Sequence, residues 1–311
     1  MGRSARLTFF CVFGEAIGGE QKVGLGKAFG FDNICNEMIR PLVEVYPELV
    51  LKLFNEVLRT GKSVTDWGVG LIVPIHKDGA RLDPGNYRGI TLMSCLGKMF
   101  LSIVNARLVL FALDEGILGR NQLGFVAGNR TSDAHIILNN LIRKYCHGKG
   151  TKMFSCFVDF RRAFDSVPRD VMLRKLLNVG ITGKVFNIIR DIYTSDGACV
   201  KLDGFRSPVF GLSLGVRQGC ILSPLLFNIF LCDLAKKLSD LGGNLKLGDS
   251  SINSLFWADD LVLLADSEEK LREMLAILGE YCKTNELEIN TKKTKCMIFN
   301  RVVGCLQGIS V

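Results

Sequence analysis

Three aspartates flanked by apolar residues are the side chains of this sequence with the clearest capacity for chemistry. Asp159 ends the apolar run 154–158, and Asp259 and Asp260 lie together between two further apolar runs. Short apolar runs of this kind are typical of buried strands, and neighbouring strands lie about 4.8 Å apart. If the runs are adjacent strands of one sheet, the carboxylates at their ends could share two divalent ions about 3.5–4 Å apart.

The alternative for each acid is a structural turn, because aspartate is common in turns and an Ala-Asp-Asp sequence is often only that. Asp159 and Asp259 are 100 residues apart (259 − 159), so only tertiary structure can bring them together. Mg²⁺ prefers hard oxygen ligands, and two carboxylates plus substrate oxygens are enough for it. Adjacent residues of an extended chain point in opposite directions. We therefore expect Asp259 to face the ions and Asp260 to reach them less directly.

The elements around these acids mix strands and helices without regular alternation. This pattern predicts an α+β fold with an antiparallel sheet and excludes a doubly wound fold. An Asp203-Gly204 pair predicts a tight hairpin turn, and Asp266 with Glu269 predicts a helix-capping box. The spacing of apolar residues predicts helices over 44–59, 97–113, 168–177, 225–238 and the stretch after 266, and strands over 71–75, 90–92, 199–202, 205–210 and 296–299.

Composition sets outer limits on function. The 311 residues are 48% hydrophobic and 23% charged with a net charge of +8, which is globular and mildly favours a polyanionic partner. Lys and Arg are enriched over 143–175, a strip that could follow a phosphate backbone or simply be a solvated face. The 11 cysteines, with three histidines and no Cys-x-x-Cys pair, indicate free thiols in an intracellular compartment. The short apolar run 7–13 is a poor signal peptide, and we expect no membrane-spanning run.

Seven short motifs surround the aspartates along the chain. They occupy residues 72–77, 86–90, 121–125, 157–168, 215–228, 256–264 and 287–295. Together they resemble the reverse transcriptase domain of non-LTR (LINE-type) retrotransposons, and the resemblance covers most of the chain. It implies the fingers and palm of a right-hand polymerase with an antiparallel palm sheet and most of the thumb missing. It also implies an RNA-directed DNA polymerase that uses two Mg²⁺ ions, with Mn²⁺ as a substitute, an RNA template, a DNA primer and dNTPs.

The resemblance implies a role for individual residues of the palm. Asp159, Asp259 and Asp260 would be the catalytic, metal-binding acids, and the Phe160 carbonyl would be a further ligand. Phe164 would be the aromatic gate that packs against the incoming sugar and excludes a 2′-hydroxyl. On composition alone, Phe164 is better explained as a core residue.

Other residues would bind the nucleotide. Gln218 and Gly219 would line its pocket, the glycine allowing close backbone approach, although a turn before the next helix explains them equally well. Lys77 and Arg88 would reach the triphosphate from a finger hairpin. Lys293 would help pyrophosphate to leave, although the neighbouring Lys292 and Lys295 are alternatives.

The sequence departs from the family pattern at a few positions. Trp257 stands where the family has Phe or Tyr, and could crowd the primer terminus or pack elsewhere. Phe29 and Phe31 stand where a family motif has prolines, which predicts a looser loop. We expect residues 1–65 to be an N-terminal extension with this degenerate motif, and residues 66–301 to be the polymerase domain, with fingers over about 66–155 and palm over about 156–300.

Three functions compete at this point. The first is a competent polymerase acting in the nucleus or cytoplasm, with endonuclease and thumb absent or supplied by a partner chain. The second is a truncated remnant that holds RNA–DNA but polymerises weakly or not at all. The third is a metal-dependent nuclease that uses the same acids, in which the finger motifs and the sugar gate have no place.

Overall fold

The chain divides into two compact units. The computed structural model describes residues 11, 24–126, 128–147, 151–194, 197–242 and 245–300. One unit comprises Met1–Glu115 and Arg169–Leu226, and the other comprises Gly116–Pro168 and Phe227–Val311. These units are defined by packing, whereas the finger and palm boundaries are defined by function and stay a prediction.

Helices and strands alternate irregularly along both units. The helices of the described ranges are α1 (Asn36–Val45), α2 (Pro47–Thr60), α3 (Cys95–Asp114), α4 (Thr131–Tyr145), α5 (Ala163–Ser166), α6 (Arg169–Asn178), α7 (Gly183–Thr194), α8 (Ser223–Asp240) and α9 (Glu268–Thr284). The strands are β1 (Val69–His76), β2 (Tyr87–Leu92), β3 (Lys152–Val158), β4 (Gly197–Leu202), β5 (Phe205–Arg206), β6 (Phe210–Gly211), β7 (Lys246–Leu247), β8 (Ser250–Ser251), β9 (Ser254–Trp257), β10 (Asp260–Ala265) and β11 (Lys295–Asn300).

The first unit contains a mixed sheet with the strand order β2–β1–β4–β5, and β6 pairs with β4. β1 and β2 form the antiparallel hairpin that the sequence predicts. β1 and β4 run parallel, a pairing of distant segments that local sequence patterns do not reveal. The predicted Asp203-Gly204 turn is confirmed, because both residues have positive φ and join β4 to β5.

Helix α3 is the longest core element of the first unit. Met99, Leu101 and Leu108 are fully buried in it. By length and composition alone, this 20-residue helix could cross a membrane. Half of its most apolar 18-residue segment is buried inside the protein. Its sequence contains no uninterrupted apolar run of spanning length, because Lys98 and Arg107 interrupt it. A core helix of this length passes the same test, so the observation is weak evidence for a membrane span.

Two helix boundaries differ from the predictions. The single helix predicted over 44–59 is two helices, because the chain breaks at Tyr46, the residue before Pro47, where α-helical backbone is disfavoured. Gly61 ends α2 in the left-handed conformation, as predicted. The Asp266 capping box is wrong: Ser267 caps α9 by accepting a hydrogen bond from the Lys270 amide.

The loop that contains Phe29 and Phe31 has partners in the first unit. Lys201 lies over the Phe29 ring and Arg206 over the Phe31 ring. Gly30 abuts the backbone at Met93, where a Cβ would clash. These cation–π contacts restrain the loop through its side chains. Prolines at the same two positions would restrain it through a stiffer backbone.

The second unit is built on an antiparallel sheet with the strand order β11–β3–β10–β9. Helix α9 packs against β3 and β10, and helix α4 packs against β3 and β9. Leu141 of α4 joins Met153 and Leu264 in a buried apolar cluster. The α+β class with an antiparallel sheet, predicted from the sequence, is confirmed, and the candidate acids lie at one end of this sheet.

Candidate active site

Asp159 and Asp260 lie opposite each other at the ends of neighbouring strands. Val158 of β3 pairs with Leu261 of β10, and both are buried. Continuing this antiparallel register by one residue sets Asp159 against Asp260. Side chains of directly opposed residues lie on the same face of a sheet, within about 5.5 Å at Cβ. The structure therefore brings together acids that are a hundred residues apart in sequence.

The third acid lies in the tight turn between β9 and β10. Trp257 pairs with Asp260, so Ala258 and Asp259 form a two-residue hairpin loop. Ala258 has a φ of 58°, a left-handed conformation that costs a residue with a Cβ about 1–2 kcal/mol. The turn is therefore held in place by its surroundings and not by its own preference.

The three carboxylates repel one another electrostatically. The pKa of Asp260 is raised above its usual value by partial desolvation, then by the charge of Asp259, and then by the charge of Asp159. Asp260 nevertheless retains an exposed surface. Like charges held this close favour a bound cation.

A segment of the motif at 121–125 supports the turn from behind. The Phe256 amide donates to the Asn121 carbonyl (2.8 Å), and the Leu123 amide donates to the Phe256 carbonyl (2.9 Å). Gly124 follows directly, and a Cβ there would lie 2.9 Å from the Trp257 carbonyl carbon and closer still to the Ala258 nitrogen. Backbone thus packs on backbone at this point.

The segment before β11 fixes Asp159 from the other side. The Asp159 amide donates to the Thr294 hydroxyl (3.2 Å), and the Asn290 amide donates to the Asp159 carbonyl (2.8 Å). Phe160 is buried and forms a bridge with Ile289. These bonds hold the main chain on both sides of the Asp159 side chain. Lys293, the exposed neighbour of Thr294, belongs to the same segment.

The donor set suits a hard divalent cation. Within the described ranges, no group of three or more His, Cys, Asp or Glu side chains is arranged to hold a metal ion. Mg²⁺ commonly takes one or two protein carboxylates and completes its shell with substrate phosphates and water. Asp159, Asp259 and Asp260 match that requirement without a complete protein cage, and the expectation that Asp259 faces the ions more directly than Asp260 stays a prediction.

Phe164 is held in an aromatic stack five residues after Asp159. Its ring stacks on Phe227 at 4.5 Å and meets Phe125 edge-on at 6.4 Å. Phe164 is half-buried, so one part of the ring packs and another part faces outward. Both explanations given by the sequence, packing and gating, are compatible with this position, and the gate role stays a prediction.

Gln218 and Gly219 have a structural role in the first unit. The Gln218 carbonyl accepts a hydrogen bond from the Thr91 amide (2.9 Å). Gly219 has a φ of 108°, and a Cβ there would lie 2.6 Å from the Thr91 carbonyl oxygen. The close backbone approach that Gly219 allows is therefore made to β2. The half-buried Gln218 side chain keeps its nucleotide role as a prediction.

Lys77 and Arg88 lie on the β1–β2 hairpin of the first unit, as the sequence predicts. The Lys77 amide donates to the Asn86 carbonyl at the end of the hairpin loop, and Arg88 pairs with Ile75 in the strand register. Both side chains are exposed. Their contact with a triphosphate remains a prediction.

Sequence reasoning missed the residues that position the acids. Gly124 and Thr294 act through a backbone contact and a hydroxyl acceptor, and Asn228 donates its side-chain amide to the Gly124 carbonyl (2.9 Å). Each lies inside a motif noticed in the sequence, and the motif was the available signal. The alternative raised for Trp257, packing elsewhere, is confirmed, because Trp257 packs against the buried cluster around Leu141.

Comparison with known proteins gives consistent matches. The family model described as "Reverse transcriptase (RNA-dependent DNA polymerase)" matches residues 75–305. A "Probable RNA-directed DNA polymerase from transposon BS" of Drosophila melanogaster is 27% identical over 90% of this chain. The jockey mobile-element polymerase of Drosophila funebris is 27% identical over 92% of this chain. An R2 retrotransposable-element polyprotein of Popillia japonica is 30% identical over 76% of the chain and 33% of its own length. The chain covers only 31% of the length of each of the first two relatives.

Solved structures show the same fold. An apo telomerase of Candida tropicalis, truncated from its C-terminal domain, matches with a TM-score of 0.55 at 13% identity, over 82% of this chain and 56% of the telomerase. A telomerase of Candida albicans in complex with a telomeric RNA fragment matches with a TM-score of 0.53 at 14% identity, over 76% and 43% of the two chains. At this identity, the likeness establishes fold and nothing further.

Proposed function

The chain belongs to the reverse transcriptase family, and we propose that it carries the site of an RNA-directed DNA polymerase of the LINE type. In this proposal, it adds deoxynucleotides to the 3′ end of a DNA primer on an RNA template, inside the cell. The observation that carries the proposal is the pairing of Val158 with Leu261, which leads directly to Asp159 and Asp260, with Asp259 in the adjoining turn.

Asp159, Asp259 and Asp260 would hold divalent ions, Mg²⁺ or in its place Mn²⁺, and we infer two of them. Bound ions of this kind activate a 3′-hydroxyl and stabilise the oxygens of leaving pyrophosphate. The protein's own contribution is to keep mutually repelling carboxylates at one place. The pKa of Asp260 is raised by partial desolvation and, after that, by this repulsion.

Other side chains would select and orient the nucleotide. Phe164, fixed between Phe125 and Phe227, would present its free surface to the sugar and exclude a 2′-hydroxyl. Gln218 would hydrogen-bond the sugar or a phosphate. Lys77 and Arg88 would bind the triphosphate, Arg88 through its planar fork.

Primer extension tests the proposal. The purified chain, supplied with Mg²⁺, a poly(rA)–oligo(dT) duplex and dTTP, should lengthen the primer, and Asp259→Ala should abolish the extension. Asp249→Ala is a matched control, because Asp249 also occupies a two-residue turn between short strands of the second unit and is exposed. This control should keep full activity.

The competing functions give different results in the same assay. A folded, metal-saturated chain that binds the duplex without extending it would support the remnant alternative and refute the polymerase. Metal-dependent shortening of the labelled strands, lost in Asp259→Ala, would indicate a nuclease. Equal extension by the wild type and Asp259→Ala would show that the carboxylates have been assigned wrongly.

A further inference from the structure

Two cysteines face each other across the seam between β3 and β11. Cys156 and Cys296 are directly opposed in the antiparallel register. Both are free thiols, and because they are directly opposed, their side chains lie on the same face of the sheet. Such a pair is more than a lone cysteine, because each thiol has a potential partner for a covalent bond.

The hydrogen-bond pattern of the sheet determines how close the two backbones come. The Leu264 amide donates to the carbonyl of Asn253, the residue before β9, so the backbone N–H and C=O of Leu264 point towards β9. Those of its neighbour Leu263 therefore point the other way, towards β3. Leu263 pairs with Cys156, so the backbone groups of Cys156 point towards β10 and away from β11. The pair of Cys156 with Cys296 is therefore a non-hydrogen-bonded pair.

A non-hydrogen-bonded antiparallel pair suits a disulfide. The Cα atoms of such a pair lie about 4.5 Å apart, with the side chains closer than in hydrogen-bonded pairs. Disulfides span Cα separations of roughly 4.4–6.8 Å. The two sulfurs could therefore join with little movement of either strand.

The two thiols differ in accessibility. Cys156 is fully buried, and this burial raises its pKa to about 12. Cys296 is only half-buried. An oxidant in solution therefore meets Cys296 first, and Cys156 is held in place behind it.

We propose that Cys156 and Cys296 form an oxidation site, at which hydroperoxides convert the paired thiols into a cross-strand disulfide. The Cys296 thiol attacks the peroxide oxygen, the O–O bond breaks, and Cys296 sulfenic acid and water (or the alcohol of an organic peroxide) are formed. The Cys156 sulfur then attacks the Cys296 sulfur, the S–O bond breaks, and the proton of Cys156 leaves with the hydroxyl as water. In all, two thiols lose two protons and two electrons, and one peroxide is reduced.

The bond would join two segments that position Asp159. Cys156 lies three residues before Asp159 on β3, and Cys296 lies two residues after Thr294, which accepts the Asp159 amide hydrogen bond. The disulfide would link β3 and β11 covalently beside the hydrogen bond between Asp159 and Thr294. The existence of this oxidation site does not rest on the polymerase function.

Peptide mapping of the full chain tests the proposal. The native protein is treated with a small excess of hydrogen peroxide, blocked with an alkylating agent and digested without reduction. The expected product is a linked peptide pair containing Cys156 and Cys296, lighter by two hydrogens than the two thiol peptides and separated again by a thiol reductant. Cys296→Ser should remove the linked pair and leave Cys156 alkylatable only after unfolding.

Cys232→Ser is the control, because Cys232 is a half-buried thiol of the same unit. It should leave the linked pair unchanged. Oxidation of Cys296 to sulfinic acid with Cys156 still a thiol would overturn the proposal, as would linkage of Cys296 to another cysteine or the persistence of both thiols. The mapping of the wild-type chain decides the question even if Cys296→Ser fails to fold.

Discussion

Replacing Gly124 with alanine tests whether backbone packing behind the turn holds the candidate acids in place. A Cβ at this position would meet main-chain atoms of Trp257 and Ala258, the two residues before Asp259. Main chain has no rotamer with which to move away, so the turn itself has to shift. Because the turn leads directly into Asp259 and Asp260, the shift reaches the carboxylates.

The size of the effect follows from the contact. The added Cβ would be 2.9 Å from the Trp257 carbonyl carbon, below the 3.0 Å that real Cβ atoms keep, and nearer still to the Ala258 nitrogen. Overpacking of this kind costs about 1–3 kcal/mol of stability. A misplacement of about 1 Å at a reacting centre can cost about a hundredfold in rate. We therefore expect Gly124→Ala to lower the rate of primer extension by about a hundredfold. The free energy of unfolding should fall by only about 1–3 kcal/mol.

Primer extension and chemical denaturation, measured on the same preparation, give both numbers. Gly119→Ala is the matched control, because Gly119 lies five residues earlier and a Cβ there meets nothing within 4 Å. The control should retain both activity and stability. If Gly124→Ala extended primers at the wild-type rate with an unchanged unfolding free energy, the idea that this contact positions the turn would be wrong.

Two further predictions concern single side chains. Phe164→Val should increase ribonucleotide incorporation by at least about tenfold relative to deoxynucleotide, because it removes the ring surface that would exclude the 2′-hydroxyl; unchanged sugar discrimination would remove Phe164 from the gate role. Asp260→Asn should abolish extension yet raise the melting temperature at neutral pH, because the ionised carboxylate, whose pKa is raised, costs stability above that pKa. The gain should fade as the pH falls through the raised pKa of the folded state and be absent below the ordinary value of 3.8, where the wild-type carboxyl is protonated in both states; a lower melting temperature for Asp260→Asn at pH 7 would contradict the argument from desolvation and repulsion.

The sequence was sufficient for elements whose pattern is local. The hairpin around Asp203-Gly204 requires positive φ at two successive positions, and Gly and Asp tolerate it. The apolar runs beside Asp159 and Asp260 predicted strands, because short apolar runs are typical of strands that are buried in a sheet. Both runs are paired strands in the structure. The α+β class followed from the mixture of these elements, and the structure confirms it.

The sequence was insufficient where partners are far apart in the chain. Helix α4 was not predicted, although Ile137, Leu138, Leu141 and Ile142 recur at helical spacing and pack into one cluster, so a local pattern was present there. The parallel pairing of β1 with β4 joins segments more than a hundred residues apart. The prediction of one helix over 44–59 was wrong for a local reason. The apolar periodicity continues through Pro47, but the backbone of Tyr46, the residue before this proline, is not helical.

The site illustrates the same division in chemical terms. Asp159, Asp259 and Asp260 are recognisable in the sequence, because carboxylates in apolar surroundings are unusual. The groups that hold these acids are the main chain at Gly124 and the hydroxyl of Thr294, and neither is unusual in sequence. Residue types reveal the chemistry of a site, and only the fold reveals its support.

The support has to be strong because the acids oppose it. Three like charges at one end of a sheet drive Asp159 and the Asp259–Asp260 turn apart, and the left-handed Ala258 adds local strain. Strand pairing between β3 and β10, the bonds from Phe256 to the 121–124 segment, and the Thr294 acceptor resist this from separate sides. Each restraint involves main chain, and two of them are open to substitution: a Cβ at Gly124 would enter the backbone contact, and loss of the Thr294 hydroxyl would remove the acceptor of the Asp159 amide. Cations that neutralise the carboxylates would relieve the repulsion, so ligand binding and local stability are coupled at this turn.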